Sequence, residues 1–201
     1  MTRFNRLGAV LVASSTILSA SHALAASPKV TSGDYKVEPA HTQVIFSVLH
    51  FGFTPFSGMF SQASGKLHLD TAHPSKSTLN VTVPVASVET SNSVLNNELK
   101  GDAWFDSAKY PNATFVSTKV TPMPGNRAVI DGQLTMHGVT QPVTLHARFI
   151  GSGVNGLDHA YTVGFEAHGE IDRGSFGIKT YIPAVSEKVE VRIAGAFEKI
   201  E

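Results

Sequence analysis

The chain has no cysteine, one tryptophan, four tyrosines and no excess of either charge. Each scarcity removes an option. Without cysteine there are no disulfides to stabilise the fold in an oxidising compartment, and no lipoprotein anchor. After the first 25 residues no apolar run approaches the ~18 residues of a membrane-spanning helix. Balanced charge gives no pull toward nucleic acid or an anionic membrane surface. Scarce Trp and Tyr leave too few residues for the aromatic girdles of an outer-membrane barrel.

The first 25 of the 201 residues stand apart from the rest. Arg3 and Arg6 form a positive start, LGAVLVASSTILSA an apolar stretch, and Ala23-Leu24-Ala25 a small-x-small cleavage pattern. This is the layout of a secretory signal peptide, and it predicts a periplasmic protein. The two arginines are not adjacent, which argues against twin-arginine export. Sixteen basic residues less these two leave fourteen against sixteen acidic ones, a net charge of −2 with histidine neutral. Residues 26–33 read as a polar lead-in, and 34–201 as one domain.

What fills that domain is alternation. In GQLTMHGVTQPVTLHARF (132–149) Leu134 and Met136 alternate with polar residues, and so do Val143, Leu145, Ala147 and Phe149 beyond His137-Gly138. Such a pattern on both sides of a short turn predicts a hairpin with one dry and one wet face. The same reading gives eight extended segments: 35–50, 57–70, 78–89, 112–121, 127–137, 142–152, 160–173 and 187–199. Between the third and fourth, Leu95, Leu99 and Gly101 predict a short helix over 91–101. Long one-face-dry strands in series predict an all-β meander closing into an antiparallel barrel.

The dry faces can meet a packed core, an open lumen or a bilayer. Against the bilayer stand the missing girdles, the charged end Glu198-Lys199-Ile200-Glu201, Pro84 inside a strand, and the helix. Core and lumen stay open at this point. Ala63, Gly65, Gly132, Ala147, Ala167, Gly169 and Gly195 fall at inward positions and would leave volume unfilled. Glycines there equally mark bends and bulges.

Five stretches occur in order: HTQVIFSVLHFGFTPFSGMFSQASGKLHLD (41–70), VPVASVETSN (83–92), FDSAKYPNATFVST (105–118), DGQLTMHGVTQPVTLHARFIG (131–151), and DRGSFGI with PAVSEKVEVRI (172–193). Together they resemble the YceI-like family of secreted polyisoprenoid-binding proteins. The resemblance implies an extended, lipocalin-like, eight-stranded antiparallel barrel. It also implies a long apolar pore holding a polyprenyl or similar lipid, often in a homodimer. One departure stands out. The family often carries a basic residue and a His-Leu pair in this helix; here the stretch reads Asn96-Asn97-Glu98-Leu99. That puts the preference for an anionic head group in doubt.

Candidate ligand-binding residues follow. Phe46, Met59, Val83, Phe115, Met136 and Phe165 are expected in the lumen. Val48 and His50 lie toward one end, with His50 as a polar anchor or simply a hydrogen-bonded buried histidine. Phe53 and Phe56 are expected at the rim. Leu95, Leu99, Trp104 and Phe105 would form a lid or cap the core. Arg173 could pair with a phosphate or serve a structural ion pair, and Lys179 is equally ambiguous.

No metal site is expected, because His68, His146 and His168 fall on wet faces outside any ligand pattern. No catalytic residue stands out. Gly174-Ser175-Phe176-Gly177 is not a nucleophile elbow, and no carboxylate pair shares a dry face. The expectation is a periplasmic carrier of a polyisoprenoid, quinone-like or fatty lipid, with no cofactor and no nucleic-acid partner. Membrane contact would be transient, for loading. A lipid-modifying enzyme and a small outer-membrane barrel are the alternatives.

Overall fold

Ten strands form one antiparallel sheet in the computed structural model, which describes residues 30–201. The expected signal segment lies outside the described residues. The strands are β1 (Gly33–Val37), β2 (Gln43–His50), β3 (Thr54–Phe60), β4 (Ser64–Leu69), β5 (Thr78–Pro84), β6 (Asn112–Met123), β7 (Arg127–Met136), β8 (Val139–Val154), β9 (Tyr161–Asp172) and β10 (Lys188–Lys199). The ring runs β1-β4-β5-β6-β7-β8-β9-β10, and β1 pairs back onto β10 to close an eight-stranded barrel. Strand β2 continues beyond β1 along β10, and β3 continues beyond β4. The first two expected strands are therefore each one long strand broken once.

The two breaks, 38–42 and 61–63, lie side by side, because Val44 pairs with Phe60 above them and Lys36 with Lys66 below. Strand β10 runs unbroken behind the first. There Thr42 accepts from the Ala196 N–H at 3.1 Å, and the Glu38 N–H donates to the Ala196 carbonyl at 2.9 Å. Such breaks change the side-chain parity. Tyr35, Val37 and Leu67, at odd numbers, face inward below; Val44, Phe46 and Phe60, at even numbers, face inward above. A one-residue slip in a strand turns every later side chain to the other face, so both strands had to slip together to keep one dry interior.

Turn chemistry fixes the hairpins. His137 and Gly138 both have positive φ, 53° and 76°, as a two-residue turn between β7 and β8 requires. A Cβ on Gly138 would lie 2.5 Å from the Tyr110 ring, so glycine is needed there for space as well.

The short helix α1 (Ser93–Lys100) starts where Asn92 Oδ1 accepts from the N–H groups of Val94 (3.0 Å) and Leu95 (3.2 Å). With its flanks it fills the space beside β3. That strand pairs across this gap only through Met59 and Glu89. Helix α1 and the β2–β3 turn mark the upper end; the β6–β7 turn and β8–β9 turn mark the lower.

Two buried clusters sit along the barrel axis. The lower gathers Tyr35, Leu67, Val163 and Phe197; the upper gathers Val88, Leu99, Trp104, Phe176 and Ile178. The outer faces are wet. They carry exposed pairs such as Arg148–Glu166 at 2.7 Å and a stacked His146–His168 pair at 5.3 Å.

Candidate binding lumen

The barrel interior holds a cavity of about 1050 Å³ that runs from the upper end to the lower. Its walls are the dry faces of the strands: Val44, Phe46 and Val48 on β2, Val81 and Val83 on β5, Val143 and Leu145 on β8, Val191 and Ile193 on β10. At the top His50, Asn92, Glu98 and Tyr181 border it and are exposed. At the bottom Thr71, Pro74, Asn126 and Arg127 do the same.

The open volume has a local cause. On β8–β10 the inward positions Ala147, Ala167 and Gly195 are small and cluster across neighbouring strands, where Ala147 faces Ala167 and Gly195 faces Phe165, while Gly169 also borders the cavity but a Cβ there would lie 2.8 Å from the Thr144 carbonyl. Not every inward glycine leaves space. A Cβ on Gly132 would lie 2.3 Å from the Phe115 ring, and one on Gly58 would lie 2.4 Å from the Phe46 ring. Those glycines are covered by cross-strand aromatics. Gly65 sits against the Asn80 carbonyl, where a Cβ would come within 2.1 Å.

Phe46, Val48, His50, Val83, Leu95, Leu99, Trp104, Phe115, Met136, Phe165 and Arg173 border the cavity. Phe53 and Met59 do not. Met59 lies beyond the break in its strand, so extending the lower parity upward assigns it to the wrong face; Phe56 and Phe60 point in instead. Phe53 projects from the β2–β3 turn and is 85% exposed. Sequence reasoning passed over Tyr181, which borders the upper opening. It lies in a loop with no alternation to mark a face, and only its aromatic character was visible.

The upper plug is built in layers. Glu98 accepts the Trp104 Nε1–H at 3.1 Å, and the Arg173 guanidinium lies 5.4 Å from the Trp104 ring centroid. Phe60 packs edge-on to Phe105 at 5.3 Å. Glu98 thus orients the lone tryptophan.

Arg173 is 4% exposed. Its Nε donates to the Ser186 carbonyl (2.9 Å), Nη1 to Ile178 (3.0 Å) and Nη2 to Val185 (2.7 Å). Burial lowers its pKa, and Glu187 partly offsets this. No carboxylate among the described residues reaches ion-pair distance, so the structural ion pair expected for Arg173 is replaced by a carbonyl clamp. Lys179 is exposed. Among the described residues no three His, Asp or Glu side chains gather as metal ligands.

A closed antiparallel barrel with a long apolar lumen and a helical plug defines a lipocalin-like class of fold. The family model for the YceI-like domain matches residues 35–197, and the chain belongs to that family. It is 36% identical to Protein YceI of Escherichia coli O157:H7 over 92% of this chain and 93% of that one. It is 33% identical to a UPF0312 protein of Photorhabdus laumondii over 94% and 96%. Among solved structures, BcnA of Burkholderia cenocepacia superposes with a TM-score of 0.72 at 26% identity, covering 80% of this chain and 98% of that one. A polyisoprenoid binding domain from Saccharophagus degradans shares the fold, with a TM-score of 0.61 at 16% identity over 83% and 98%.

Proposed function

We propose that the lumen binds a long apolar chain, a polyisoprenoid in the first instance, and that the protein carries or stores it in the periplasm without altering it. The carrying observation is the apolar cavity itself, continuous from end to end of the barrel. The polyisoprenoid binding described for the Saccharophagus degradans domain supports the choice of guest. The signal-like start of the chain supports the compartment. A homodimer belongs to the same reading through the family resemblance.

The mechanism is burial. Each CH₂ removed from water contributes about 0.8 kcal/mol, so a five-carbon unit contributes roughly 3–4 kcal/mol gross. Ordering and association take part of this back. Affinity then depends on chain length more than on the head group. Of the polar groups at the upper opening, His50 is the candidate to meet a head group, since Asn92 caps the helix and Glu98 and Arg173 are engaged with the protein.

Trp104, the lone tryptophan, borders the lumen and is 8% exposed. Its emission therefore reports a guest directly. A long polyprenyl alcohol should change that emission saturably, and a short prenyl alcohol should need a far higher concentration. Phe165 borders the lumen against Phe149 (5.5 Å) and Phe197 (6.0 Å). Phe165→Asp, still folded by circular dichroism, should abolish the response. An unchanged titration in that variant would remove Phe165 from the binding surface and count against the lumen.

A further inference from the structure

The two ends of the lumen differ chemically. Around the upper opening, the β2–β3 turn and the 177–186 loop are tied together. The Phe51 N–H donates to the Ala184 carbonyl at 2.6 Å, and the Ser186 N–H to the Leu49 carbonyl at 3.0 Å. His50 and Val185 form a bridge between them. This collar displays apolar groups outward: Phe51 is 55% exposed, Phe53 85% and Tyr181 62%.

Phe51 and Tyr181 both stand in the left-handed region, with φ of 52° and 59°. Bulky residues rarely adopt it, and where they do the strain tends to mark functional sites. Here it accompanies two aromatic rings held outward beside the opening.

Charge points the same way. From Thr42 to Gly65 there is no Asp, Glu, Lys or Arg, and from Gly174 to Ser186 Lys179 stands alone. The one carboxylate bordering the upper opening among the described residues, Glu98, sits on the helix and accepts from Trp104, whereas the lower opening is bordered by Asp70 and Arg127, and the nearby β8–β9 turn, where Leu157 is exposed, carries Asp158. Aromatic side chains carried on segments that themselves hold no carboxylate suit the interface between water and acyl chains, where a ring can enter without stripping water from a charge.

We propose that the upper collar, led by Phe51 and Phe53, docks on a lipid bilayer by inserting these rings, so that the lumen opens onto the leaflet. The occupant is the bilayer surface, gripped by apolar insertion rather than by charge. For the transfer of cargo this rests on the lipid-binding reading of the lumen; for docking itself it does not.

The test uses the mature protein and vesicles of phosphatidylcholine and phosphatidylethanolamine, separated by flotation. The protein should float with the vesicles, and high salt should not release it. The double variant Phe51→Asn, Phe53→Ser keeps a residue that tolerates positive φ at the first position and lies outside the lumen. It should partition about tenfold less, the effect of exposing one large apolar side chain in place of burying it. Leu157→Ser, at the opposite end, should float as the wild type does.

Loading should follow docking. Uptake of a fluorescent polyprenyl alcohol from vesicles should slow about tenfold in the double variant on the same scale. The amount bound when the probe is delivered from dilute ethanol should not change. Flotation and uptake equal to wild type in the folded double variant would overturn the proposal. So would a variant that floats normally but loses a dimer in native mass, which would make the collar a contact between two copies. Flotation lost in the variant while neither protein takes up the probe would uphold docking and remove the lipid-carrier reading instead.

Discussion

Arg173 donates to the carbonyls of Ile178, Val185 and Ser186 and lies over Trp104, so a single guanidinium ties the 178–186 loop to the upper plug. An orphaned buried polar group costs about 1–3 kcal/mol. Arg173→Met leaves three carbonyls without their donor and should lower unfolding free energy in urea by about 3 kcal/mol or more. Arg173→Lys keeps the charge but not the planar fork, and should recover only part of that loss. A Met variant within ~0.5 kcal/mol of wild type would mean that the clamp contributes little, as surface substitutions do. From the sequence, Arg173 was visible as a strand-end arginine suited to phosphate or an ion pair. Its carbonyl partners were not, because backbone acceptors leave no mark in a sequence.

Strand breaks carry the next level. Below the two breaks the inward residues of β1 and β4 have odd numbers; above them those of β2 and β3 have even numbers. Pro39 lies in the first interruption, which the sequence reading ran through as one segment over 35–50, taking Phe46 as inward from the residues beyond it. The second interruption reads only Ser61-Gln62-Ala63, with Gln62 at φ 58°, and nothing so strong as proline announces it. Met59 was misplaced for that reason. Strands β5, β7 and β9 have no such break, and Val83, Met136 and Phe165 follow from alternation alone, whereas β6 shifts register between Ser117 and Lys119, just past Phe115.

The first break depends on Glu38. Its carboxylate accepts from the N–H groups of Ala40 (2.8 Å) and His41 (2.9 Å). Burial pushes the Glu38 carboxyl up, but these donors and the His41 ring outweigh it and hold it below the ordinary value. A depressed folded pKa contributes stability in full above the unfolded value of about 4.3, and loses it as pH falls through the folded value. Asp70 is lowered too, mainly by the His73 N–H, so the informative quantity is a difference. Between about pH 5 and 3, Glu38→Gln should lose less stability than wild type in denaturant titrations. Parallel curves would show that Glu38 does not hold the break through its charge.

At the scale of the whole molecule, the closed barrel was legible because long period-2 strands must hide one face and have no edge to spare. Whether that face encloses protein or space was not legible from periodicity. It depends on which small residues meet across strands. Gly132 and Gly58 are covered by Phe115 and Phe46, while Ala147, Ala167, Gly169 and Gly195 lie along the cavity. Of the collar, Phe53 was expected at the rim, while Tyr181 escaped notice because it sits in a loop, where no pattern marks a face.

A lumen of this size and apolarity should not stay empty in a cell that offers it lipid. The most direct measurement is native mass spectrometry on protein secreted to the periplasm and purified without detergent, before and after extraction with organic solvent. An apolar adduct that extraction removes, with a lower melting temperature for the emptied protein, is the expected result. A protein whose mass extraction leaves unchanged, and which takes up no added polyprenyl lipid, would contradict the carrier reading.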